Sequence, residues 1–94
     1  MATKEPGAIP FADLHERAKG LLRTGVLPRG PAVRTYGGYG DGTTCVLCSG
    51  PIGPREVEYE LEFGSQDTQH AHLHLACHAI WDYERRAAAV DSPR

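Results

Sequence analysis

No stretch of this 94-residue sequence comes near the ~18–20 consecutive apolar residues that a membrane span requires. No apolar segment of the secretory type follows Met1 either, so no export signal is expected. Cysteine is sparse and odd in number, and three thiols cannot form a complete disulfide framework. Reduced thiols without an export signal point to the cytoplasm. A large excess of charge is also missing. The formal net charge of −2 at pH 7 lacks the strongly basic footprint of a dedicated nucleic-acid binder. The balance hides an asymmetry, because residues 1–55 carry seven Lys or Arg against four Asp or Glu, or +3. Residues 56–94 carry three against eight, or −5.

A chain of this length makes one domain, or one small domain with a tail, and buries only a modest fraction of its surface. A metal ion is a usual staple for so thin a core, and the cysteines are placed to supply one. In Cys45-Val46-Leu47-Cys48 two thiols stand two residues apart, as in a knuckle that turns both sulfurs toward one ion. In His74-Leu75-Ala76-Cys77 an imidazole and the third thiol are three residues apart, and they point the same way on the first turn of a helix. Three thiolates and one imidazole complete a tetrahedral shell for one Zn²⁺. Structural zinc contributes about 10–16 kcal/mol of apparent binding energy in zinc-finger peptides, enough to decide whether such a region folds. The expected metal ligands are Cys45, Cys48, His74 and Cys77. His78, next to Cys77, and His72, on the same strand face as His74, compete for the fourth position. The dipole at a helix N-terminus favours the thiolate of Cys77.

Taken in order, residues 1–9 are expected to be disordered. Residues 10–24 read as an amphipathic helix, with Phe11, Leu14, Ala18, Leu21 and Leu22 forming one stripe. Pro10 suits its first turn, and Gly25 with Pro28 supplies a stop. The stripe is expected to pack on the zinc unit or to dock a partner protein. Residues 25–44 form a Gly/Pro-rich connector in which Val33 to Tyr36 can pair as a short strand. Its Tyr36–Gly42 run is no phosphate loop, because no Lys and hydroxyl residue open a helix after the glycines. Tyr36 and Tyr39 are expected to cover part of the core or to lie in a surface loop.

Residues 45–89 read as the zinc-binding domain. From Glu56 to Phe63 apolar and acidic residues alternate without a fault, which is the period of a half-buried strand and of no helix. Its glutamates are expected to form a solvated face. A turn at 64–68 and a second alternation from Gln69 make a β-hairpin of 56–63 with 69–74. His70 and His72 read as exposed strand histidines, and His15 as a polar position on the first helix. A helix then runs from about Leu75 to about Ala89, with Cys77, Ile80, Trp81 and Glu84 on one face. Glu84 with Arg85-Arg86 is expected to end it as a mostly surface-charged helix. Residues 90–94 are a frayed tail.

Knuckle, hairpin and a helix carrying the last ligands follow the order of a treble-clef zinc finger, and over residues 45–83 the chain resembles one. Its C-x2-C-x25-H-x2-C pattern is similar to the first zinc module of LIM domains, and no further cysteines supply the second. The phrase Cys-Val-Leu-Cys-Ser-Gly-Pro-Ile, then Glu-Val-Glu-Tyr-Glu, then His-x-His-x-x-Cys-His-x-x-Trp, looks like a set of small bacterial proteins with a single Cys3His finger. The resemblance is absent over residues 1–44, and it implies zinc, the treble clef and no particular activity. With the helix and connector read from the residues themselves, the expected fold is α+β, a treble clef preceded by an amphipathic helix and a Gly/Pro-rich connector.

Catalytic readings fare poorly. Four protein ligands leave no position for an activated water. A zinc deaminase needs His-x-Glu and a later Pro-Cys-x-x-Cys, which this chain lacks. A redox dithiol opens a helix, whereas Gly50, Pro51, Gly53 and Pro54 forbid one here. An iron–sulfur cluster wants closer-set thiolates. The expected function is therefore a non-enzymatic adaptor or regulator that binds a protein partner. Its surface would be the first helix with the Gly/Tyr loop, or the glutamate row. A nucleic-acid-binding finger is the alternative. It would use Arg17, Lys19, Arg23, Arg29 and Arg34 with Tyr36 and Tyr39 for stacking, against the acidity of the chain. A ββα-metal nuclease, with His70 or His72 as general base, is a third reading and lacks that family's Asn and second metal-binding His.

Overall fold

The structure, a computed structural model, describes residues 10–64 and 69–91. The expected disorder at 1–9, most of the turn at 64–68 and the end of the tail lie outside the described residues. Helix α1 spans Phe11–Thr24, strand β1 Arg34–Tyr39, β2 Val57–Phe63, β3 Gln69–His74 and helix α2 Leu75–Asp91. The strands form one antiparallel sheet in the order β1-β2-β3. The architecture is a small α+β fold. Among the described residues no helix is long and apolar enough to cross a membrane.

Leu14, Ala18 and Leu22 recur at helical spacing on α1, and all three are buried. The helix ends where Gly25 takes the left-handed conformation, φ 83°, and returns its N–H to the Leu22 carbonyl at 3.3 Å. Glycine adopts that backbone without a Cβ penalty. The reversal sends Leu27 straight into the core, where it is fully buried. On the sheet, Leu61, Ala71 and Leu73 are buried on one face, and Ile80 and Trp81 of α2 join the same core. The Trp81 indole Nε1 donates to the Pro28 carbonyl at 3.0 Å, so its buried polar atom has a partner and ties α2 to the chain leaving α1.

Two regions depart from the sequence reading. The connector contains a six-residue strand, β1, that runs straight through Gly37-Gly38 to Tyr39, with every residue exposed. Tyr36 and Tyr39 are 45% and 75% exposed, so they do not cover the core. Glycines weaken a strand, but the Tyr59 ring of β2 lies over Gly37, where a Cβ would sit 3.3 Å from it. This is aromatic cover of an edge glycine. At Gly40 a Cβ would stand 2.3 Å from the Ile52 carbonyl oxygen, so only glycine lets the end of β1 pass the loop after the knuckle.

The second departure is Glu84. The sequence placed it with Arg85 and Arg86 at the surface-charged end of the helix. It is in fact buried, and the His15 ring Nδ1 of α1 lies 2.6 Å from its carboxylate. The position follows from its face, since Cys77, Ile80, Trp81 and Glu84 share the buried side of α2.

Candidate metal centre

The knuckle is a tight hairpin. Cys45 donates its N–H to the Gly50 carbonyl at 2.8 Å, and Ser49 donates to the Cys45 carbonyl at 2.9 Å. Ser49 takes a left-handed φ of 67°, which turns the chain back after Cys48. The next residue then aims its amide at sulfur, with Gly50 N–H 3.4 Å from Cys48 Sγ. Leu47 and Ile52 are fully buried and anchor the loop from both sides. Two outside contacts fix its place. Val46 donates its N–H to the His72 carbonyl of β3 at 2.9 Å. Arg17 of α1 reaches over to donate its Nε to the Leu47 carbonyl at 2.6 Å.

These contacts bring the knuckle to the junction of β3 and α2. There the donor atoms of Cys45, Cys48, His74 and Cys77 all lie within 4.8 Å of one another, in a group that could hold a metal ion. His74 Nδ1 is 3.3 Å from Cys48 Sγ and 3.9 Å from Cys77 Sγ. Its other ring nitrogen, Nε2, lies 3.1 Å from the Pro51 carbonyl and 3.4 Å from Glu56. A carbonyl only accepts, so Nε2 carries the proton and Nδ1 presents its lone pair to the sulfurs. Metal-binding histidines are commonly oriented by such a partner. His74 is the last residue of β3 and Cys77 the third of α2, so the pair straddles a strand–helix junction rather than sharing a helical turn.

The two competing histidines lie elsewhere. His78 stacks on Tyr59 and Trp81, with ring centroids 4.6 and 5.5 Å away. Burial there pushes its pKa down. His72 bonds through Nδ1 to Glu58.

Electrostatics within the cluster show what the site needs. The Cys77 thiol hydrogen-bonds to Cys45 and holds the Cys45 pKa well below that of an ordinary thiol. The same hydrogen bond, with burial, drives Cys77 far upward. Burial also raises Cys48, against the opposing pull of the Gly50 N–H. For His74, burial pulls downward but is outweighed by the Cys45 thiolate, Glu56 and the Pro51 carbonyl, so its pKa is raised. A cation bound among the three sulfurs would favour the thiolate form of all three. A hollow of about 420 Å³ opens beside Cys48 and Cys77, with Leu14 and Leu75 also in its lining.

The glutamate row is not the solvated face that its alternation suggests. Glu58, Glu60 and Glu62 are half-buried and face His74, His72 and His70 across the hairpin. The contacts are diagonal, with His70 Nδ1 2.6 Å from Glu60 and His72 bonded to Glu58. Arg34 Nε approaches Glu62 from β1 at 3.8 Å. Diagonal neighbours on one sheet face are within reach of long side chains. The signal was present in the sequence, since an antiparallel 56–63/69–74 pairing puts the glutamates and histidines on one face. Arg17 and Glu56 were missed as supports of the centre, because nothing local marks either residue. No family model, curated protein or solved structure matches this chain.

Proposed function

We propose that this is a zinc-binding protein whose single Cys3His ion is structural. In this reading the ion holds a treble-clef-type finger as a non-enzymatic protein-interaction adaptor or regulator. The supporting observation is the convergence of four donor atoms within 4.8 Å, from two separate stretches of chain, the knuckle and the β3–α2 junction. A tetrahedral zinc with sulfur at about 2.3 Å and nitrogen at about 2.0–2.1 Å has donor–donor edges of roughly 3.5–3.8 Å. The two sulfur distances from His74 Nδ1, 3.3 and 3.9 Å, straddle that span. Soft thiolates with one imidazole select zinc over harder cations. Four protein ligands close the shell and argue for scaffolding rather than chemistry at the metal.

A protein partner is favoured over nucleic acid by the cations themselves. Arg17 is committed to the knuckle, Lys19 pairs with Glu16, and Arg34 faces Glu62. That reduces the basic stripe to Arg23 and Arg29 as its cations without a nearby carboxylate among the described residues. The test is elemental mass spectrometry on protein purified without added metal, followed by circular dichroism during chelation. One equivalent of zinc, with loss of structure on its removal, is the expected result. A metal-free protein that is fully folded would overturn the reading. Binding to DNA or RNA that weakens steeply with salt would replace the adaptor by the nucleic-acid finger.

A further inference from the structure

We propose that the groove between α1 and α2 is a docking site for an acidic amphipathic helix of a partner protein. This rests on the adaptor reading and names its surface and the chemistry of its partner. The groove, of about 490 Å³, has Leu22, Ala87 and Ala88 in its floor and Tyr83 in its wall. A second hollow of about 330 Å³ shares Tyr83 and Ala87 and continues to Val90. Tyr83 is 63% exposed and Val90 84%, both large exposures for apolar side chains. Tyr83, Ala87 and Val90 follow i, i+4, i+7, a ridge about 10 Å long at 1.5 Å per residue. The alanines let a second backbone approach closely, as ridge-and-groove packing requires.

Charge decides the occupant. Lys19, Arg23 and Arg29 line the groove. Lys19 meets Glu16 at the surface, and among the described residues no carboxylate lies within ion-pair distance of Arg23 or Arg29. Glu84 is the one acidic residue in the lining, and its buried carboxylate is engaged by His15. An apolar floor under a cationic rim, on a chain with net charge −2, is complementary to an apolar stripe flanked by carboxylates. Two hollows that share Tyr83 and Ala87 along a helical ridge suit a helix laid in a groove, read at i, i+3/i+4 and i+7.

The experiment selects from a randomised library of peptides about 16 residues long, roughly four helical turns, against zinc-loaded protein whose metal content is measured on the same sample. Enriched sequences should be acidic, with apolar residues at helical spacing. Their affinity should fall by at least about tenfold in the double variant Arg23→Glu/Arg29→Glu and also in Tyr83→Ala. It should be unchanged in Tyr39→Ala on β1. Enrichment of neutral or basic peptides, no enrichment at all, or binding indifferent to the Arg23/Arg29 reversal would overturn the proposal. So would equal binding of a small aromatic carboxylate. Binders that map by NMR to β1 or to the glutamate row would overturn the groove and leave the adaptor reading standing. A sample that is folded but carries no zinc would instead sink the metal reading.

Discussion

His70, His72 and His74 occupy alternate positions on one face of one strand, yet the two ends of that face behave differently. In the middle of the sheet, His70 and His72 meet Glu60 and Glu58. At the end of the strand, His74 meets sulfur. The imidazoles are the same, and β2 with its carboxylates runs opposite all three, with Glu58 across from His74. What differs is what adjoins the end of the strand. At His74 the strand gives way to α2, and the Val46 amide holds the knuckle against β3. His74 is placed to serve as a ligand because the knuckle and the β3–α2 junction converge there. Its neighbours on the same strand have the chemistry without the convergence.

The largest effect expected is at the convergent end. Cys45→Ser or Cys77→Ser should abolish stoichiometric metal binding and unfold the region around the centre. Zinc supplies about 10–16 kcal/mol in finger peptides, which matches or exceeds the ~5–15 kcal/mol total stability of a typical domain. Elemental analysis and far-UV circular dichroism check both consequences. A folded, metal-free Cys45→Ser protein would show the two ends to be energetically alike.

The comparison is sharpest between His74→Ala and His72→Ala. The first should lose tight metal binding, while the second keeps one equivalent. Loss of the His72–Glu58 contact should cost about 1–3 kcal/mol, because the Glu58 side chain is only 13% exposed and is left without that partner. If His72→Ala lost the metal and His74→Ala kept it, the ligand assignment would have to be exchanged.

The parts legible in the sequence were those carried by spacing. The cysteine pair, the His-x-x-Cys pair and the alternation of Glu56 to Phe63 all act over a few residues, and each marked its element or its donors. What stayed hidden depends on residues distant in the chain. Glu84 looked like a surface residue because its partner, His15, is 69 positions away. Arg17 looked like part of a basic stripe because its acceptor, the Leu47 carbonyl, carries no side-chain signal. β1 was obscured by Gly37 and Gly38, which strands disfavour, and is supported by a Tyr59 ring on the neighbouring strand. The His15–Glu84 pair gives a medium-sized prediction of this kind. His15→Ala should leave a buried carboxylate without its partner and cost about 1–3 kcal/mol in urea unfolding, with metal content unchanged. Loss of metal in His15→Ala would couple the helix pair to the centre more tightly than their separate contacts indicate.

The smallest effect separates the two acceptors at His74 Nε2. The Pro51 carbonyl stands at 3.1 Å and Glu56 at 3.4 Å. Glu56 is itself held by the Gly53 N–H, which lowers its pKa, and its side chain is 53% exposed. A carboxylate open to water adds little to orientation already fixed by a backbone carbonyl. Glu56→Gln keeps an acceptor for Gly53 and removes only the charge. Competition with a chromophoric chelator should therefore show metal affinity reduced by less than about tenfold, below or at the lower edge of what losing an orienting partner costs. A drop of about a hundredfold would assign the orientation of the ring to Glu56. The row of glutamates would then extend functionally into the metal centre, and the two ends of the sheet face would differ less than their geometry suggests.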